Sequence, residues 1–265
     1  MDLKIRKFIL ITFLFSWLIW LPGVLANLNI IDCPVPDRVL LLVGALAPFI
    51  ATFYLERKNK DQLKNIIKRS FDPRIGWKWL AVCIILPLFM LWMSRFIFSL
   101  FESNLPESPM LTNPMLVFPL FIVMFLIGGG LNEEIGWRNY VLEYFLTKHN
   151  ALKASIILAF FWILWHLPLF FMQSTNQAFI PYWLFVLAVV PLTVMITWVY
   201  NNTRGSIFAV ALFHTMGNLS LEIFRVIPTA ESPSVLGFVI LILVYLFATL
   251  LILLLYGYKT LTRHQ

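Results

Sequence analysis

Eight apolar stretches divide the chain, at residues 8–27, 38–55, 78–101, 117–146, 154–173, 181–200, 206–225 and 235–256. Each runs for about 18 to 30 residues, enough to cross the hydrocarbon core of a bilayer as an α-helix. The connecting segments are short, except for residues 56–78, where polar and basic side chains dominate. Within that loop Leu63, Ile66, Ile67 and Phe71 share one helical face with lysines opposite. This spacing predicts a short amphipathic helix on an anionic membrane surface. The pattern contains no heptads, low-complexity tracts, separate soluble domain or internal repeat. The expected fold is an all-α membrane protein, one polytopic domain over residues 1–265.

Composition agrees and adds orientation. Of the 265 residues 60% are hydrophobic and 12% charged, whereas a soluble domain carries about a quarter charged residues. The 25 Phe and 10 Trp suit a lipid-facing surface with interfacial aromatic belts. Every Lys and Arg except Arg38, Arg95, Arg138 and Arg225 falls at a chain end or in an alternate loop. By the positive-inside rule those loops and both termini are cytoplasmic, which requires an even number of spans. The net charge of +7 therefore belongs to the bilayer surface, and no nucleic-acid partner is expected. The first stretch follows Lys4, Arg6 and Lys7 without a clean small-residue cleavage site, so it reads as a retained helix rather than a signal peptide. Cys33 and Cys83 fall in a loop and a span and read as unrelated thiols.

Candidate chemistry lies where polar residues interrupt the apolar runs. Glu133, Glu134 and Arg138 sit in the fourth stretch, His166 in the fifth, His214 and Asn218 in the seventh. Ionisable side chains at bilayer depth are costly unless paired or hydrated, and they mark functional sites. Measured from the basic landmarks Lys148, Lys153 and Arg204, at about 1.5 Å per residue, these polar residues lie roughly 15 to 21 Å along their helices. The fourth, fifth and seventh spans should thus bring them to one layer, around a polar cavity. His149 and His264 fall in cytoplasmic segments.

Glu134 and Arg138 are four apart and can pair along one helix face. Glu133 points about 100° away and is free to act as a general base. His214 and Asn218 share a face, with Glu222 one turn outward and within reach of Arg225 as an interfacial pair. Gly128-Gly129-Gly130 precedes no Gly-Lys-Ser pattern, so it reads as close helix packing or a local distortion rather than a phosphate loop.

The string Glu133-Glu134-Ile135-Gly136-Trp137-Arg138 resembles E-E-x-x-x-R, the first motif of the intramembrane CAAX-processing and bacteriocin-processing endopeptidases. Trp162-Ile163-Leu164-Trp165-His166 resembles their F-x-x-x-H, and His214-Thr215-Met216-Gly217-Asn218 their H-x-x-x-N. Three motifs in order cover a core of about residues 115–225. Trp162 departs from the usual Phe and is expected to alter packing only. Asn139 stands where Gly is common and could change a helix approach.

The resemblance implies an endopeptidase with a cytoplasm-facing site in a cell membrane, by its short loops a bacterial plasma membrane. Glu133 would activate water, His166 would assist it, and His214 with Asn218 would stabilise the oxyanion. Glu134 and Arg138 would hold Glu133 in place. No cofactor is required by this route. A zinc ion on Glu133, His166 and His214 is the alternative, although H-E-x-x-H is lacking and Asn is a poor zinc ligand. The implied partner is a membrane-embedded, prenylated or other peptide substrate; oligomeric state is not legible. A non-proteolytic bacteriocin-immunity or regulatory scaffold stays open. A proton-relaying transporter would show inverted repeats and paired broken helices, and neither is evident.

Overall fold

The computed structural model describes residues 1–103 and 105–263; His264 lies outside the described residues. All eight apolar stretches are helical, as Leu3–Asn27, Asp37–Glu56, Trp77–Ser99, Pro114–Leu146, Ala151–Phe171, Tyr182–Asn202, Ile207–Phe224 and Leu236–Tyr256. Each is long and apolar enough to cross a membrane, and no strand occurs among the described residues.

Several helix starts are fixed by side-chain caps, each satisfying an N–H that has no intrahelical acceptor. The Asp2 carboxylate accepts from the Lys4 N–H, Asn150 from Lys153 and Ser206 from Ala209. The seventh span ends at Arg225, whose left-handed backbone (φ 46°) stops the helix.

Side-chain and backbone contacts collect both ends of the chain at one end of the bundle. Lys4 pairs with Glu56, the Asp2 N–H donates to Tyr144, and the Ala151 N–H donates to the Lys259 carbonyl. At the opposite end Ser108 donates to the Glu222 carbonyl, and Arg225 sits 3.4 Å from Glu222. The seventh span is central, packed against the third, fourth and sixth and against the surface helix Lys60–Phe71.

The surface helix differs in one respect from its expected face. Ile66 and Ser70 are fully buried against the bundle, whereas Ile67 and Phe71 point outward. The apolar residues are therefore divided between two surfaces. Arg69 makes the difference, because its side chain turns inward instead of joining the lysines. It donates to the Gly205 carbonyl (2.8 and 2.7 Å), to Tyr200 (2.6 Å) and to Asn139 (3.3 Å), and it pairs with Glu143 at 2.7 Å. Asn139 thus serves as an acceptor for this arginine.

The fourth span is not one regular helix. Val117–Leu126 and Leu131–Gly136 are α-helical, and the glycines between them break the run. Gly129 has φ +108°, which side-chain-bearing residues rarely adopt. At Gly130 a Cβ would stand 2.5 Å from both the Phe125 carbonyl oxygen and Thr215 Oγ1, so the backbone meets the seventh span directly. The triglycine therefore supplies both a distortion and a close approach. Below it, Trp137–Leu142 is wound as π-helix before α-helix resumes at Glu143–Leu146. Such wide turns are rare and concentrate at functional sites.

Candidate active site

Glu133 and Glu134 lie between the break and the π-turn, and Arg138 lies within the π-turn. All three are buried, the last two completely. Glu134 accepts from His214 Nδ1 at 2.7 Å through Oε1, while its Oε2 lies 2.8 Å from Arg138 Nε. The second contact is close enough for an ion pair but lies off the line of a hydrogen bond, and neither Nη of Arg138 meets a protein acceptor among the described residues. The expected pair along one helix face is present. The expected hold on Glu133 is not: Glu134 spends both oxygens on Arg138 and His214, because its side chain points toward the seventh span.

Glu133 is held from the fifth span instead. Trp162 Nε1 donates to Glu133 Oε2 at 2.8 Å. Trp162 is therefore more than the packing substitute its aromatic character predicts, since a phenylalanine has no donor to offer. The indole ring also lies among the other polar groups. Its centroid is 5.3 Å from that of His214 and 5.6 Å from that of His166, both edge-on, and Arg138 Cζ sits 4.8 Å from it.

The histidine protonation patterns follow from their partners. His166 Nδ1 lies 2.7 Å from the Trp162 carbonyl oxygen, which can only accept, so Nδ1 carries a proton and Nε2 is the free nitrogen. In His214 the same logic applies: Glu134, committed to a guanidinium, accepts, and Nε2 is left for other chemistry. A carboxylate on Nδ1 fixes the ring orientation and the tautomer, as in hydrolytic triads.

These groups meet beside Gly129. A Cβ on that residue would fall 2.9 Å from Asn218 Nδ2 and 3.4 Å from both Glu133 Oε1 and His214 Cε1. Asn218 Nδ2 also donates to the Gly128 carbonyl at 3.3 Å, leaving its second N–H for the same space. The structure thus brings Glu133, His214 and Asn218 to one point, with Trp162 packed against Glu133 and against both His166 and His214. The arrangement is a closely packed cluster in which Glu133, Glu134, His166, His214 and Asn218 each have a partner, while both Nη atoms of Arg138 are buried without an acceptor among the described residues. An open polar cleft of about 260 Å³ occurs elsewhere, at the end of the bundle that holds the chain ends, lined by Lys4, Glu56, Gln62, Asn139, Tyr140 and Glu143.

The proposed zinc ligands do not form a ligand set as placed. Among the described residues no three His, Cys, Asp or Glu side chains converge closely enough to hold a metal ion. The Trp162 indole contacts all three of Glu133, His166 and His214, donating to the first and lying edge-on to the two imidazoles.

Sequence reasoning did not find the Trp162 donor, the Glu134–His214 bond or the Arg69 network. Only the first had a visible signal, an indole N–H one helical turn before a motif histidine.

Comparison with known proteins bears on this cluster. Residues 113–220 match the family model described as type II CAAX prenyl endopeptidase Rce1-like. The chain is 27% identical over 231 residues to CAAX prenyl protease 2 of Methanococcus maripaludis, covering 83% of this chain and 85% of the relative. The matched core contains all three motifs. Both likenesses indicate a protease, and with the eight apolar helices they fit a multi-pass membrane protein.

Proposed function

We propose that the chain is an intramembrane endopeptidase in which Glu133 activates the water that attacks a peptide bond of a membrane-associated substrate. The observation that carries this reading is the meeting of Glu133 Oε1, Asn218 Nδ2 and the His214 ring around Gly129. A base, an amide donor and an imidazole facing one small space are the parts peptide hydrolysis needs.

In this scheme Glu133 Oε1 takes a proton from water as the oxygen bonds to the scissile carbonyl carbon. The carbonyl oxygen becomes an oxyanion and accepts from Asn218 Nδ2 and, when the ring carries a second proton, from His214 Nε2. Glu134 accepts from His214 Nδ1 and so orients the ring, and Arg138 pairs with the other oxygen of Glu134. Collapse of the tetrahedral species breaks the C–N bond, and the proton held by Glu133 passes to the departing amine. His166, with Nδ1 occupied, orients the water through the lone pair on Nε2. Donors fixed in a site shielded from solvent can contribute about 3–4 kcal/mol each to such a transition state.

The basic loops, by the positive-inside rule, support a cytoplasmic position for the chain ends and for the 260 Å³ cleft beside them. A substrate presented at the cytoplasmic leaflet would reach the site from there. Likeness to a CAAX prenyl protease favours a peptide with a prenylated, CAAX-like C-terminus. The test is mass spectrometry of protein termini in membrane fractions from cells carrying wild type or Glu133→Ala. New termini that depend on wild type are expected. Identical profiles with both proteins folded would defeat the proteolytic reading.

A further inference from the structure

We infer that Trp162 is a positioning residue whose indole N–H fixes which oxygen of Glu133 does the chemistry; the inference rests on the proteolytic reading above. A carboxylate has two equivalent oxygens, and rotation about its terminal bond exchanges them. In a buried site with no donor on either, the two would compete for the water. Here Nε1 of Trp162 occupies Oε2 at 2.8 Å. Oε1 is left facing the space beside Gly129, where Asn218 Nδ2 and His214 also point. The hydrogen bond thus converts a symmetric group into a directed base.

Three contacts keep the indole itself in place. Its ring is flanked edge-on by His166 and His214. Arg138 lies 4.8 Å from the ring centroid, and a cation near an indole face is attracted by its π-system. That cation also draws electron density from the ring, which strengthens the N–H as a donor. Arg138 therefore acts on two sides of the site: on His214 through Glu134, and on Glu133 through Trp162. Trp162 is 3% exposed, so water does not compete for the bond, and hydrogen bonds to a carboxylate are the strong kind.

Two substitutions isolate the N–H. Trp162→Phe keeps an aromatic ring, and 3-benzothienylalanine installed at position 162 keeps the bicyclic shape with sulfur in place of N–H. The assay is cleavage of an internally quenched farnesylated peptide ending in a CAAX sequence, in proteoliposomes. Both variants are expected to lose about 10- to 100-fold in kcat, the range of one hydrogen bond to a charged group, with KM within about twofold of wild type. A benzothienyl variant with wild-type kcat overturns the proposal, as does a loss confined to KM.

A second measurement does not depend on turnover. In a spectrum of ¹⁵N-indole-labelled protein, the cross-peak absent from Trp162→Phe identifies Trp162. It should move upfield in proton shift when Glu133→Ala removes the acceptor. A cross-peak that stays put overturns the proposal whatever the activity. If it moves but wild type cleaves neither the peptide nor any cellular protein, the proteolytic reading fails, and with it the catalytic sense of this contact. The bond then remains only as architecture.

Discussion

Replacing Gly129 by alanine should abolish cleavage while leaving the bundle assembled. The φ of +108° at this residue lies where an L side chain is strained, at a cost of about 1–3 kcal/mol. The new methyl would also stand 2.9 Å from Asn218 Nδ2 and 3.4 Å from Glu133 Oε1 and His214 Cε1. Asn218 could swing aside only by giving up its 3.3 Å bond to the Gly128 carbonyl, a loss of about 1 kcal/mol. Summed, the destabilisation is about 2–4 kcal/mol, which a folded bundle can survive.

The effect on rate is larger, because the methyl fills the volume where water and carbonyl must meet. A drop of at least about 1,000-fold, or about 4 kcal/mol of transition-state stabilisation, is expected. Gly217→Ala is the matched control: it lies one residue from Asn218, but apart from its chain neighbours and the adjoining helix backbone nothing stands within 4 Å of its added Cβ. In mid-helix that change should be neutral or stabilising by up to about 1 kcal/mol. The assay pairs peptide cleavage in proteoliposomes with thermal unfolding followed by circular dichroism. Wild-type cleavage by folded Gly129→Ala would show that the reaction does not use the space beside Gly129.

Other perturbations separate structure from chemistry. Glu134→Gln removes the counter-charge of fully buried Arg138 and should destabilise by about 3–5 kcal/mol; an unchanged melting temperature would argue against the ion pair. Arg69→Ala should speed hydrogen–deuterium exchange across Lys60–Phe71, because four acceptors release the surface helix at once, and unchanged exchange would count against that anchorage. Chelator treatment of the purified protein is expected to leave peptide cleavage intact, and a loss restored by added zinc would overturn the metal-free scheme. In the loop after the surface helix, hydrogen bonds from the Arg74 side chain and N–H hold the Asp72 carboxyl down to about 2. This contact stabilises the loop at pH above the ordinary carboxylate value of about 4 and is lost as pH falls through about 2. Arg74→Ala should move the Asp72 titration toward its ordinary value in an NMR experiment.

The spans were legible because apolar length is a one-dimensional signal and the alternation of lysine and arginine is another. Depth was legible for the same reason: counting from Lys148, Lys153 and Arg204 places Glu134, His166 and His214 in one layer, and Glu134 and His214 do touch. Direction around each helix was less so. Periodicity assigned Leu63, Ile66, Ile67 and Phe71 to one face, but the bundle takes Ile66 and leaves Phe71 outside. It gave Arg69 no role, since nothing local distinguishes an arginine that turns inward. Glu134 was expected to support Glu133 because they are adjacent. Its actual partner on the seventh span is eighty positions away, and no local spacing encodes that. Trp162 was read by size when its N–H was the informative part.

The π-wound segment Trp137–Leu142 sets the rotational phase of the fourth span. In an uninterrupted α-helix, Glu134 and Glu143 would stand about 180° apart, nine residues at about 100° each. Each π residue turns through only roughly 80°, so six of them withdraw roughly 120° and bring Glu143 back toward the side of Glu134. This lets Glu134 meet His214 while Glu143 meets Tyr200 (2.5 Å) and Arg69. Deleting one residue from the segment would restore ordinary winding and leave the helix itself sound. It would also force the span to choose between its upper and lower partners, detaching the surface helix from the residues beside the cluster.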